Sequence, residues 1–202
     1  MQDGLTLTYR AGKSEVQVDF SDVRTMGEIT QGTLHLRHKG KDGTTEAVCG
    51  PDGIHTQLGG IEGAALDLSG MDVTVLSSEG VAMPPPDQMV EGATWTNTLA
   101  LELTPPKLKD AAIARMKTTF KKVATIEGRE KVRAAGRVWD ALRVKNRITA
   151  MAGTAGERTM ESTLWIARGV GILKIQTGDT VDLELLSVKH LPKAGRAQKR
   201  AR

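Results

Sequence analysis

Long apolar runs are missing from this 202-residue chain. No window approaches the ~18 apolar residues that a transmembrane helix needs. Cysteine occurs once, at Cys49, which excludes an intramolecular disulfide framework and any Cys-based zinc cluster. The aromatics are Tyr9, Phe20, Trp95, Phe120, Trp139 and Trp165. So few of them argue against a platform for stacking bases or sugars. The opening Met1-Gln2-Asp3-Gly4 has neither a basic n-region nor an apolar h-region, so it reads as no signal peptide. That start suits a cytosolic protein, and equally a mature exported one written with a Met in place of its leader.

Motifs that carry chemistry are also scarce. Gly12-Lys13-Ser14 looks like the end of a phosphate loop, but Leu7 stands where the first glycine belongs. No Gly-x-Ser-x-Gly elbow, His-Glu-x-x-His pair or calcium loop occurs. Carboxylates are numerous, but no pair can be set face to face from spacing alone. A hydrolase therefore has no anchor here, and no enzyme, metal or cofactor is expected.

What the chain has is glycine, alternation and uneven charge. Its 22 glycines suggest many tight turns. Residues 1–104 hold 6 basic and 15 acidic side chains, whereas residues 105–147 hold 13 basic and 4 acidic. The tail 189–202 adds 6 basic residues and no acidic one, and reads as mobile. Such a distribution fits oppositely charged halves attracting within one fold, or a surface for a polyanion.

Period-2 alternation marks half-buried strands. Leu5, Leu7 and Tyr9 share one face, Val16, Val18 and Phe20 the next, and Ala11-Gly12-Lys13 turns between them. Leu34, Leu36 and His38 follow on a third strand. Asp42-Gly43 is a type I′ turn signal, which would set Lys39 opposite Glu46 and Leu36 opposite Cys49. Short strands are expected near 54–58, 65–68 and 73–76. Pro84-Pro85-Pro86 forces an extended stretch, a candidate joint over 84–92. Trp95, Asn97, Leu99, Leu101 and Leu103 then alternate. A short helical turn is predicted near 108–115, followed by strands over 120–126, 138–149, 159–167, 170–176 and 180–188, with an Ala135-Gly136 turn. The expected fold is all-β: one domain over 1–188, an antiparallel meandering sheet, sandwich or open or half barrel, with at most one or two short helices. One continuous core should bury all three tryptophans.

The remaining candidates are weak as chemistry. His35 and His38 lie three apart on a strand and so point to opposite faces. His55 and His190 are isolated. Cys49, flanked by apolar neighbours, reads as a small buried hydrophobe with an unreactive thiol. Trp95, Trp139 and Trp165 read as core, or as the lining of an apolar cavity.

Three stretches carry a family likeness. They are Cys49–Gly53 with Pro84–Asp87 and Glu91–Trp95, then Ile126–Val144, then Ser162–Lys174. Together they resemble the TapB-like group of exported bacterial β domains of unknown function. Ala134 replaces that group's proline, Trp139 its phenylalanine, Ile166 its tyrosine and Arg168 its proline. The resemblance implies an all-β domain on the export side of the membrane: periplasmic, outer-membrane-associated or at the cell surface, often lipid-anchored. It brings no catalytic residue.

The expected function is accordingly a non-catalytic structural or protein-interaction module of the bacterial envelope. Alternatives are a carrier of an apolar or lipid ligand in a curved sheet, and polyanion or nucleic-acid binding through 105–147 and the tail. Expected partners are envelope proteins or an anionic envelope component. The docking candidate is a basic ridge. Arg143, Lys145 and Arg147 lie two apart on one strand face, and Arg129, Lys131 and Arg133 repeat the arrangement. A meander would set these rows side by side. Like charges facing each other destabilise a sheet, so acidic residues from 1–104, or a partner, should cover them.

Overall fold

A computed structural model describes residues 1–57, 72–104, 115–152 and 156–190. These residues form strands throughout and no helix. In chain order the strands are β1 Leu5–Ala11, β2 Ser14–Met26, β3 Ile29–His38, β4 Lys41–Gly50, β5 Gly53–Thr56, β6 Asp72–Gly80, β7 Thr94–Thr104, β8 Met116–Ala134, β9 Arg137–Ala152, β10 Glu157–Ala167, β11 Gly171–Thr177 and β12 Thr180–His190. The strand expected near 65–68, the helical turn near 108–115 and the tail beyond 190 lie outside the described residues.

All pairing is antiparallel, in the order β5-β4-β3-β2-β1-β12-β11-β10-β9-β8-β7-β6. Each strand pairs with its chain neighbours except at β5 and β6, and the first and last strands meet as β1 and β12. The sheet is therefore a meander wrapped into a nearly closed, barrel-like ring, with its opening between β5 and β6. One bridge spans that opening. Ile54 N donates to Met83 O and Ala82 N to Ile54 O, both at 2.7 Å. Glycine is required beside this seam. A Cβ on Gly53 would lie 2.4 Å from the Met83 carbonyl oxygen, and one on Gly80 would lie 2.3 Å from that of Thr96.

The first hairpin follows its alternation, with Leu7 opposite Val18 and Tyr9 opposite Val16. The second departs from the expected register. Lys39 and Gly40 form the turn, both with positive φ (51° and 72°), so Leu36 faces Gly43 and Cys49 faces Thr30. Moving the turn from 42–43 to 39–40 shifts the pairing by an even number of residues. Every side chain keeps its face, so alternation cannot choose between the registers. Cys49 is half-buried here rather than buried.

Buried apolar side chains occupy both faces of the sheet, which replaces the single continuous core expected. On one face Leu5, Leu7, Tyr9, Trp139, Trp165, Leu173 and Leu185 pack together. On the other, Trp95, Ile126, Leu142, Val144, Leu164 and Ile166 pack under Met89, beside Leu99, Leu101 and Leu103. The link between β6 and β7 closes over this second face, with Pro84 and Pro85 buried.

A bulge in β8 connects the two faces. Ile126 pairs with Val144, but Gly128 pairs with Arg143, which leaves Glu127 as an extra residue. Up to Ile126 the even residues of β8 lie on the Trp95 face; beyond the bulge the odd ones do. A bulge also bends its strand and raises the local twist. Here the β8–β9 hairpin crosses to β12, where Ala135 N donates to Leu185 O at 3.0 Å. Ala134 and Trp139 thereby reach the Leu185 cluster.

Candidate interaction site

The β8–β9 hairpin ends in a two-residue turn, Ala135 and Gly136, with φ of 49° and 75°. Both positive values give a type I′ turn, whose twist matches the strands it joins. Beyond Thr125, paired with Thr94, no strand lies along the second edge of β8 among the described residues. Among the described residues, 127–134 pair as a strand with β9 alone, forming an arm that touches the body through Glu130, Val132 and Ala134.

Arg129, Lys131 and Arg133 are exposed on this arm, opposite Leu142, Asp140 and Val138. They share the Trp95 face. Arg143, Lys145 and Arg147 are exposed on the Trp165 face, since Arg143 pairs with Trp165. The six residues therefore form two rows on opposite faces, in place of the expected side-by-side ridge. The Glu127 bulge is the cause, because without it the odd residues of β8 would stay beside Arg143–Arg147. The covering carboxylates also differ in origin. Glu127 lies 3.1 Å from Arg143 and Glu161 lies 3.1 Å from Lys145, both from adjoining strands and neither from residues 1–104. Lys131 sits 3.7 Å from Asp140. Among the described residues Arg129, Arg133 and Arg147 have no ion pair within 4.0 Å.

An open groove of about 340 Å³ runs between the arm and β11–β12. Glu130, Lys131, Val132 and Arg133 form one wall, and Trp165, Lys174, Val181 and Glu184 the floor and far side. Trp165 Nε1 donates to the Glu130 carboxylate, and Lys174 Nζ lies 4.7 Å from the Trp165 ring centroid. Glu184 pairs with Arg10.

All three tryptophans are buried, at 8–9% exposure. Trp139 and Trp165 share one cluster and Trp95 belongs to the other, so they line no common space. Each ring N–H is met: Trp95 by Ala82 O at 3.1 Å, Trp139 by Ala134 O at 2.9 Å, and Trp165 by Glu130. Arg137 stacks on the Trp139 ring, 3.4 Å from its centroid.

A buried polar layer had a sequence signal that alternation alone left unread. Asn97 and Lys122 face each other across β7 and β8, 2% and 3% exposed. Lys122 Nζ donates to Ala82 O at 3.2 Å, the carbonyl that also accepts from Trp95. Asn97 Nδ2 donates to Glu79 O at 2.9 Å, while its Oδ1 has no partner. The signal was a lysine in the same-face run Phe120, Lys122, Ala124, Ile126.

The histidines stand apart. His35 bonds Ser21, His38 bonds Ser14, and His55 lies 2.8 Å from Asp52. His35 pairs with Asp19 and His38 with Val16, so the two rings take opposite faces as expected. Among the described residues no three His, Cys, Asp or Glu side chains gather to hold a metal ion. Burial raises the Asp19 carboxyl, but hydrogen bonds from Thr6 and Gln17 and the charges of Arg37 and His35 outweigh it and hold its pKa low. The His55 hydrogen bond lowers Asp52.

Together these features define an all-β protein whose described residues form one twelve-stranded antiparallel meander. Solved structures of similar fold exist. One is a protein from Bacteroides fragilis described as exported and as having a YmcC-like fold, at TM-score 0.63 and 16% identity, covering 93% of this chain and 96% of that one. Another, described as a lipoprotein, comes from Parabacteroides distasonis, at TM-score 0.61 and 14% identity with the same coverage. The lipoprotein YmcC of Escherichia coli, called hypothetical, superimposes more loosely, at TM-score 0.44. No family model and no curated protein sequence matches the chain. The likeness is one of fold. It accords with the all-β domain that the TapB-like resemblance implies, but no family match supports that group's name.

Proposed function

We propose that the protein is a non-catalytic interaction module of the bacterial cell envelope. One observation carries this reading: 93% of the chain superimposes on each of two proteins described as exported or as a lipoprotein. The described surface agrees with a docking role. The groove beside the β8–β9 arm is open, and Arg129, Lys131 and Arg133 of that arm are exposed. The test is a fusion of the full-length gene, with its natural start region, to a reporter enzyme that folds only outside the cytoplasm. Reporter activity with protease accessibility in intact or osmotically shocked cells is the expected result. A reporter held inactive in the cytosol would overturn the reading.

A further inference from the structure

Among the described residues no strand pairs with the outer edge of the β8 arm. The closing pair of a two-residue hairpin, here Ala134 with Arg137, exchanges both backbone hydrogen bonds, and such pairs alternate along an antiparallel ladder. Ala134, Val132 and Glu130 therefore spend their backbone groups on β9. The N–H and C=O groups of Arg129, Lys131 and Arg133 point the other way, along the edge that no described strand covers. The groove beside the arm is lined by four consecutive residues of this edge, Glu130 to Arg133, and so runs parallel to the strand.

We propose that this edge takes an extended acidic peptide segment of a partner protein as an added strand. The proposal deepens the interaction-module reading and rests on it. Main-chain bonds to Arg129, Lys131 and Arg133 would supply affinity, and alternate side chains would supply selectivity. One set of partner side chains would face the three cations and must carry carboxylates. The intervening set would lie over the groove against Val132, Val181 and Trp165, and must be small and apolar or hydroxylic. The recognised pattern is thus acidic at every second position.

Charge also decides against a second copy of the same edge. Antiparallel self-pairing would set Arg129 opposite Arg133 and Lys131 opposite Lys131, and like charges directly opposite destabilise a sheet. Edge cations deter self-association for this reason. The same repulsion leaves an acidic strand as the occupant that the edge favours.

The test uses the whole chain and a synthetic peptide of about seven residues alternating aspartate with valine or threonine. Binding should slow amide exchange at Arg129, Lys131 and Arg133 and leave Glu130 and Val132 unchanged, since those already bond to β9. A peptide of the same composition with its aspartates contiguous should bind more weakly, as should one N-methylated at alternate amides. Paired reversal, Lys131→Glu with Arg133→Glu, should weaken binding by at least roughly tenfold while the far-ultraviolet spectrum is unchanged. Reversal of Arg143 and Lys145, on the other face, should not. Absence of binding, equal binding of both isomers, binding without amide protection, or displacement by an oligonucleotide of equal charge would each overturn the proposal. These outcomes are independent of where the protein resides, so the two readings fail separately.

Discussion

Asp19 concentrates much of the polar chemistry of the first three strands. Thr6 Oγ1 donates to it at 2.6 Å, Gln17 Nε2 at 2.9 Å and Arg37 at 3.0 Å. Its folded pKa is held below the ordinary value near 3.9, so the ionised form stabilises the fold above that pH. The stabilisation is lost as pH falls through the lower, folded value. Asp19→Asn should therefore lower stability at neutral pH, and the gap to the native chain should close below about pH 4. Urea titrations at two pH values would show it, and a gap independent of pH would contradict it. Trp139 is the second residue whose role is plain. It is 8% exposed, bonded through Nε1 to Ala134, and packed where the arm meets β12. Trp139→Ala should cost ~3–5 kcal/mol, the range for large core truncations. A loss under about 1 kcal/mol would mean that the arm does not dock on the Leu185 cluster.

At the scale of elements, the Glu127 bulge decides where the arm goes. Deleting Glu127 leaves Ile126 opposite Val144 and Gly128 opposite Arg143 in a regular ladder, so each side chain keeps its face. What the deletion removes is the bend. The tip should then leave β12, the Ala135–Leu185 bond should open, and the Ala135 amide should exchange at the rate of a free turn. Unchanged protection of Ala135 would show that packing, and not the bulge, aims the arm. The Ala135-Gly136 turn itself was readable in advance, between two alternating runs. The β3–β4 turn was not, because Asp42-Gly43 and Lys39-Gly40 give pairings that leave every face the same.

Across the molecule, the seam between β5 and β6 is, among the described residues, joined by a single bridge. A few backbone bonds join Ile54 to the chain at Ala82 and Met83. Gly53→Ala would drive a Cβ into the Met83 carbonyl at a positive φ of 129°. Strain of this kind costs on the order of 1–3 kcal/mol. The expected result is faster exchange at Ile54 and Ala82 while the amides of β8–β10 stay protected. Uniform loss of protection would mean that the ring opens only by global unfolding. The opposed charges of the two halves meet where Arg115 lies 3.6 Å from Glu102, but the cations of β9 are paired differently. Glu127 and Glu161, beside Arg143 and Lys145, come from the basic segment and the strand after it.

The chain's own pattern determined the strands and much of their orientation. Alternation with period 2 is a local property, so Leu7, Tyr9, Val16 and Val18 could be assigned to one face before any partner strand was known. Burial of the three tryptophans followed from the same rule. Their division between two faces did not. It depends on how far each strand bends, and so on contacts between residues remote in sequence. The break of phase at Glu127 depends on one residue too many against β9, a count that exists only once the register is set. Closure at Ile54 and Met83 likewise joins segments that share no local signal. Faces come from neighbours in the chain, whereas register, bulge and seam come from neighbours in space.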